Sequence, residues 1–511
     1  MSVIEVESAL VALAAAHPTI CQLITLPNVT FEGRTTHAVV LGSQPANTVD
    51  AYYLTGGVHA REWGSCEILV NLATDLCDAY AGGTGIGYGG KYFSATEVKA
   101  LIEQINLIIF PCVNPDGRAY SQSSPQYDIA MWRKNRNPAD SGGVASRIGV
   151  DINRNQDFLW NFGAAFAPGA VNVYLASSDP AQETYHGHAA QTEAETLNVK
   201  YLHDTYTRIR WYVDVHSYSE DILFVWGDDE MQVTDTSRTF GNNAFNGQRG
   251  LVGDGYSEFI PDGDLGVLQN LANAFTKSLA EVRGKTYVAK PGFSLYATSG
   301  TNDDYAYSRH FVDSSRANTL AFTVEWGTIF QPLFPEMGEI IKDVSSGLIG
   351  LGLEALGIDS YIVTNRDTFS SYEVETTLAY PESLYVIYDG FAPSALGVPG
   401  AVPVIQFLDS IGGSAIPSIL GNVTGVALED AGAPNTPQRV TFTVEVDFTD
   451  GSAFTAETRT IAVQATFGGL QDVAPIELVR QPNPYMVDGA TSWLSTDLRV
   501  FQLRPGQKVN N

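Results

Sequence analysis

Basic residues are scarce. The 511-residue chain carries 29 Lys and Arg against 57 Asp and Glu, a formal charge of −28. Nucleic acid is excluded as a partner on that ground, because its phosphates need a basic footprint. The acidic balance suits solubility, and it draws cations rather than anions. Cysteine is scarcer still: Cys21, Cys66, Cys77 and Cys112 are the whole set. No Cys-x-x-Cys pair occurs, which argues against a cysteine zinc site. Cys66 and Cys77 fall on one predicted helix, about 16 Å apart along its axis and beyond disulfide reach. All four read as small buried hydrophobes, and nothing in them requires an oxidising compartment. Long apolar runs are missing too, since none approaches the roughly 18 residues that span a bilayer. The first residues, Met1-Ser2-Val3-Ile4-Glu5-Val6-Glu7, place acids where a signal peptide has a basic start. Cytoplasmic residence is the expectation, with export by a route without a cleaved signal as the alternative.

Hydrophobic residues make up 44% of the chain, enough for a full core. The length predicts two to four domains. Up to about residue 356, strands alternate with helices. Predicted strands are His37–Leu41, Ala51–Val58, Asn106–Val113, Trp211–His216 and Leu320–Glu325. Predicted helices cover residues 4–16, Trp63–Tyr80, Glu97–Gln104, Thr192–Arg208, Leu265–Arg283 and Glu336–Leu356. Leu69, Leu72, Leu76 and Ala79 recur at helical spacing, and Asn106–Val113 is a continuous apolar run of the kind buried on both faces. Together they predict an α/β/α sandwich with a mixed, largely parallel sheet over residues 1–356.

The pattern then changes. Val440, Phe442, Val444, Val446 and Phe448 alternate with polar residues, and Thr449-Asp450-Gly451-Ser452 carries a hairpin signal before a second alternating run. Residues 357–511 therefore predict an acidic all-β domain, a probable-sandwich pattern of short strands.

In an open α/β sheet the ligand site lies at the carboxyl ends of the strands. His59 and Glu62 follow one predicted strand, Asp214-Val215-His216 ends another, and Glu325 ends a third. A histidine and a glutamate three residues apart can close on one zinc ion, and a catalytic zinc takes three protein ligands plus water. Alone, His-x-x-Glu is a weak signal that a solvated pair at a helix start also explains. Three strand ends bearing such groups are a stronger one.

Seven stretches fix the pattern. They are His59-Ala60-Arg61-Glu62-Trp63, Asn114-Pro115-Asp116-Gly117, Trp132-Arg133-Lys134-Asn135-Arg136, Gly149-Val150-Asp151-Ile152-Asn153-Arg154-Asn155, His216-Ser217-Tyr218-Ser219, Leu295-Tyr296-Ala297-Thr298-Ser299-Gly300 and Phe322-Thr323-Val324-Glu325. In this order they resemble the zinc metallocarboxypeptidases of the pancreatic carboxypeptidase A and B kind, over roughly residues 8–340. Trp326-Gly327-Thr328 after Glu325 resembles bacterial members instead. The resemblance implies His59, Glu62 and His216 as ligands of one zinc ion, with Asp151 orienting the first histidine. It implies Glu325 as general base and Arg133 as the group that steadies the oxyanion. Asn153 and Arg154 would grip the terminal carboxylate of a peptide or protein substrate, Tyr296 would close over it, and Arg61 would line a subsite.

Asp303 falls where the family's side-chain pocket has its floor, with Asp304 as the alternative. An aspartate there implies a preference for C-terminal Lys or Arg. The segment between His216 and Tyr296 looks long and carries Asp228, Asp229, Glu230, Asp254, Asp262 and Asp264. It reads first as a solvated loop, with an extra lid or a calcium site as alternatives. Two rivals share the zinc site or discard it: a cell-wall peptide carboxypeptidase or amidase, and a binding or delivery protein with a vestigial peptidase site. The sequence leaves the oligomeric state open.

Overall fold

The computed structural model describes residues 1–356 and, beyond them, 359–364, 368–372, 382–390, 402–410, 413–429, 438–448, 458–467, 470–481 and 501–502. The chain divides into two compact units, Met1–Gly352 and Leu353–Asn511. Among the described residues no helix is long and apolar enough to cross a membrane.

The first unit is built on an eight-stranded sheet. Its strands are Cys21–Thr25 (β1), His37–Leu41 (β2), Ala51–Gly56 (β3), Asn106–Phe110 (β4), Ile209–His216 (β5), Asp221–Phe224 (β6), Val288–Pro291 (β7) and Leu320–Glu325 (β8). Their order in space is β1-β2-β4-β3-β5-β8-β6-β7. The four central strands β4, β3, β5 and β8 run parallel. β2 and β6 run antiparallel to them on either side. This is the expected mixed, largely parallel sheet. Every residue of β3 and β4 is buried, which is why those strands read as unbroken apolar runs.

Seven longer helices accompany the strands: Val3–Ala16 (α1), Gly64–Gly82 (α2), Ala95–Gln104 (α3), Ala194–Thr205 (α4), Asp262–Arg283 (α5), Asn302–Val312 (α6) and Phe334–Ala355 (α7). α1 opens with a capping box in which Ser2 and Glu5 satisfy each other's backbone N–H groups. α2 buries Ile68, Leu69, Leu72 and Leu76 and ends at Gly83 in the left-handed region. Each such leucine, fully buried, contributes about 1.5–3 kcal/mol. All four cysteines are buried as free thiols.

Gly57 is the turn that frees the site loop from β3. Its φ is +63°, and a Cβ there would lie 2.7 Å from Cys66 Sγ and 3.2 Å from the Pro111 carbonyl. Only glycine takes that conformation in that space. The strand therefore ends at Gly56 rather than at Val58, and His59 lies beyond the sheet edge.

Three strands of this sheet escape the sequence reading: β1, β6 and β7. They are four or five residues long and lack a clear alternation, and β7 ends on a proline at the sheet edge. The acidic segment is also corrected. Asp228 and Asp229 are fully buried, not solvated. Asp229 accepts the Gly250 N–H at 2.6 Å, and Asp228 lies 3.7 Å from the buried Arg249 guanidinium. Asp254 is exposed, as expected.

In the second unit, the described residues beyond 356 form strands and no helix. A five-stranded sheet runs Ile419–Glu429, Gln438–Phe448, Glu382–Gly390, Asp359–Thr364, Phe501–Gln502. A four-stranded one runs Thr368–Tyr372, Leu470–Gln481, Thr458–Phe467, Val404–Leu408. Phe442, Val444 and Val446 are buried while the residues between them are part-exposed. The Thr449–Ser452 hairpin turn lies outside the described residues. The strands that flank it do not pair with each other, because each joins a different sheet. Local turn chemistry was outweighed there by the other partners available to each strand.

Glu195 on α4 is buried beside Glu193, and burial first, then that neighbouring charge, pushes its carboxyl up to about 8. The folded value lies above the ordinary 4.5, so its contribution to stability is complete below that pH and lost as pH rises through about 8. Glu195→Gln keeps the shape and removes the charge. Thermal unfolding should show the variant gaining on wild type between pH 5 and pH 9, by on the order of a few kcal/mol. An identical pH trend in both proteins would show that Glu195 ionises in the fold without penalty.

Candidate active site

Parallel register brings the strand ends together. Glu325 pairs with His216 across β8 and β5, and Gly56 pairs with Val215 across β3 and β5. Whatever follows β3 and whatever ends β5 and β8 must therefore share one edge of the sheet. His59, Glu62 and His216 converge there and are buried. His59 Nδ1 lies 2.8 Å from Glu62 Oε1, and His216 Nδ1 lies 3.0 Å from both Glu62 Oε2 and His59 Nδ1. Among the described residues this is the one group of three or more such side chains able to close on a single metal ion.

The far sides of the two imidazoles face carboxylates. His59 Nε2 lies 3.2 Å from Asp151 Oδ1, and His216 Nε2 lies 2.9 Å from Asp214 Oδ2. Each ring is thus oriented so that its Nδ1 points at the other Nδ1 and at Glu62. Two imidazole nitrogens aimed at each other and at one carboxylate form a donor set suited to zinc, with the rear carboxylates fixing tautomer and orientation. Burial works against the Glu62 charge, yet His59 and His216 hold its carboxyl well below the usual range. Burial likewise opposes Asp151, and Arg133 and His59 overcome it.

Asp151 ties the site together. Its Oδ2 accepts from Arg133 Nε at 3.0 Å and Nη2 at 2.9 Å, and its Oδ1 accepts the Asn153 N–H at 3.0 Å. Arg133 keeps Nη1 free of protein partners among the described residues. Arg154 is buried and donates to the carbonyls of Leu175, Asn153 and Tyr174. Those three bonds use fewer than its five N–H groups. Gly300, at φ +69°, passes close enough that a Cβ would lie 2.4 Å from the Arg154 carbonyl.

These side chains line a cavity of about 390 Å³ with His59, Glu62, Asn153, Arg154, Tyr296 and Glu325 around it. Arg61 is on its wall, bonded to Glu183 at 2.9 Å and stacked over Phe330 at 4.3 Å. Tyr296 is 40% exposed at the rim, its ring 6.2 Å from that of Tyr174. Asp303 also lines the cavity and accepts from Thr323 Oγ1 at 2.9 Å. Asp304 turns away, fully buried, and accepts the Gly227 N–H at 3.0 Å. Burial first, then Asp303, keeps the Asp304 carboxyl well above its usual range. Between the two aspartates, the cavity therefore belongs to Asp303.

His59, Glu62, His216, Asp151, Glu325, Arg133, Asn153, Arg154, Tyr296, Arg61 and Asp303 meet in this one place, whereas Asp304 and the acids of the segment between His216 and Tyr296 do not line it. Asp214 was passed over, although a signal existed: side chains two apart on a strand share a face, so a carboxylate at 214 stands behind His216. Glu183, Phe330 and Asn302 had no such signal, since long-range folding alone brings them here.

The pattern of one protein family matches residues 6–346, and its description is zinc carboxypeptidase. The chain belongs to that family. Carboxypeptidase A2 of Rattus norvegicus is 27% identical over 296 residues, which are 58% of this chain and 56% of that protein. Carboxypeptidase B of Bos taurus is 28% identical over 283 residues, 55% of this chain and 53% of that protein. The chain thus spans about half the length of these relatives. An inactive metallocarboxypeptidase of Arthroderma otae is 28% identical over 229 residues, 43% of this chain and 33% of that protein. Among solved structures, carboxypeptidase A from Helicoverpa armigera superposes with a TM-score of 0.51 at 22% identity, covering 70% of this chain and 73% of that one. Bovine thrombin-activatable fibrinolysis inhibitor, in complex with a tick carboxypeptidase inhibitor, gives 0.51 at 20%, covering 69% and 96%. At these identities the likeness is one of fold.

The orienting role of Asp151 can be measured on zinc itself. Asp151→Asn should weaken zinc binding by ~10–100-fold in competition with a chromophoric chelator. Undiminished affinity would show that His59 is oriented without its carboxylate.

Proposed function

We propose that the chain is a zinc-dependent exopeptidase that hydrolyses the C-terminal peptide bond, favouring C-terminal Lys or Arg. Membership of the family does not decide this, since one relative is named as inactive. The observation that carries the reading is a single cavity lined by His59, Glu62, Glu325, Arg133, the Asn153–Arg154 pair and Asp303, with His216 closing on His59 and Glu62 at its wall.

His59, Glu62 and His216 would hold the ion. The chemistry that zinc supplies when bound is acidification of water to near pH 7 and polarisation of a carbonyl. Glu325 stands at the end of β8 beside His216 and Arg133. Burial pushes it up to about 8, with His216 pulling it back. In its ionised form this carboxylate would take a proton from the attacking water and return it to the leaving amine. Arg133 Nη1 is free to donate to the oxygen of the scissile carbonyl as charge develops there, which typically contributes ~10²–10³ in rate per donor. Asn153 and Arg154 line the same cavity, and Arg154 has N–H groups beyond those its three carbonyl partners use. A guanidinium and an amide there suit the terminal carboxylate of a peptide chain. Tyr296 at the rim is placed to cover it.

The selectivity rests on charge. No Lys or Arg forms an ion pair with Asp303 among the described residues. Its carboxylate is instead held by Thr323 Oγ1 and the Asp304 N–H, oriented but not neutralised. A substrate ammonium or guanidinium would supply the missing counter-charge. The cell-wall and vestigial-site alternatives gain no specific support from this geometry.

Two substitutions test the reading. Glu325→Gln should retain zinc and lose all but a few per cent of peptidase activity; substantial activity with zinc bound would remove Glu325 from the base role. Asp303→Ala should abolish the Lys/Arg preference in kcat/KM while sparing hydrophobic C-termini. Equal loss on both substrate types would remove the acidic pocket.

A further inference from the structure

Asn302 opens α6 and is fully buried. It touches three groups, each at 2.8 Å. Its backbone N–H donates to Asn153 Oδ1, its Nδ2 donates to Asp214 Oδ2, and its Oδ1 accepts from Gln156 Nε2. Asp214 accepts from Thr55 Oγ1 at 2.8 Å on its other oxygen and faces His216 Nε2. No Lys or Arg pairs with Asp214 among the described residues. Its carboxylate faces the imidazole and is oriented by two neutral donors, Thr55 and Asn302.

We propose that Asn302 is a positioning residue that couples the metal-ligating His216, through Asp214, to the carboxylate-gripping Asn153. The inference rests on the zinc-exopeptidase reading. A carboxylate with one of its two orienting donors removed can rotate, and the imidazole rotates with it, so His216 Nδ1 no longer points at His59 and Glu62. On the other side, the Asn302 N–H fixes Asn153 Oδ1 and so leaves Asn153 Nδ2 as the end that faces substrate. Asp303, the next residue, lines the same cavity, so one helix start sets the metal side, the carboxylate side and the side-chain pocket in mutual register.

The test uses the full chain and two variants. Asn302→Asp preserves the acceptor for Gln156 but puts an oxygen where Asp214 needs a donor. Asn302→Ser is milder and keeps the test open if the first variant does not fold. Zinc affinity, by chelator competition, should fall ~10–100-fold in Asn302→Asp and less in Asn302→Ser. Both variants keep the backbone N–H that holds Asn153 Oδ1, so at saturating zinc KM should stay near the wild-type value. A lower unfolding temperature with zinc affinity unchanged would overturn the positioning role. Zinc-binding wild type beside unchanged variants would overturn this inference alone, whereas wild type that binds no zinc would overturn the underlying reading with it.

Discussion

One buried carboxylate, Asp151, carries more of the site than any other group. It meets His59, Arg133 and the Asn153 backbone at once. A lone carboxylate in that position would be costly to bury, and removing one partner of such a pair typically costs about 3–5 kcal/mol. The cost is offset only when guanidinium, imidazole and amide all stand in place. The placements of His59, Arg133 and Asn153 are thereby made conditional on one another. Asp214 repeats the device behind His216 with neutral donors, and Asn302 links the two halves.

The sheet makes this convergence cheap in conformational terms. Parallel register aligns the ends of β3, β5 and β8, so His59, His216 and Glu325 need only short reaches to meet. Gly57 lets the chain leave β3 sharply enough to set His59 and Glu62 facing one point. The rest of the first unit packs apolar helices around those strands, and rigidity of the edge follows from burial on both faces.

Much of this was legible in the sequence, for a definable reason. β3, β4 and β8 are apolar runs with a polar residue just past the end, and that contrast marks both the strand and the site. Helices such as α2 show their spacing directly. What stayed hidden depends on pairing across long separations: the short strands β1, β6 and β7, the burial of Asp228 and Asp229 beside Arg249, and the bond from Asn302 to Asp214. Which of Asp303 and Asp304 faces the cavity was equally hidden, because it turns on α6 beginning at Asn302. The hairpin signal at 449–452 misled for the complementary reason, since its two strands found stronger partners in separate sheets.

The most direct measurement is hydrolysis of two matched blocked dipeptides, one ending in arginine and one in phenylalanine, with and without a zinc chelator. The account requires release that the chelator abolishes and that is faster for arginine. Release unaffected by the chelator, or none from either dipeptide with zinc bound, would contradict it.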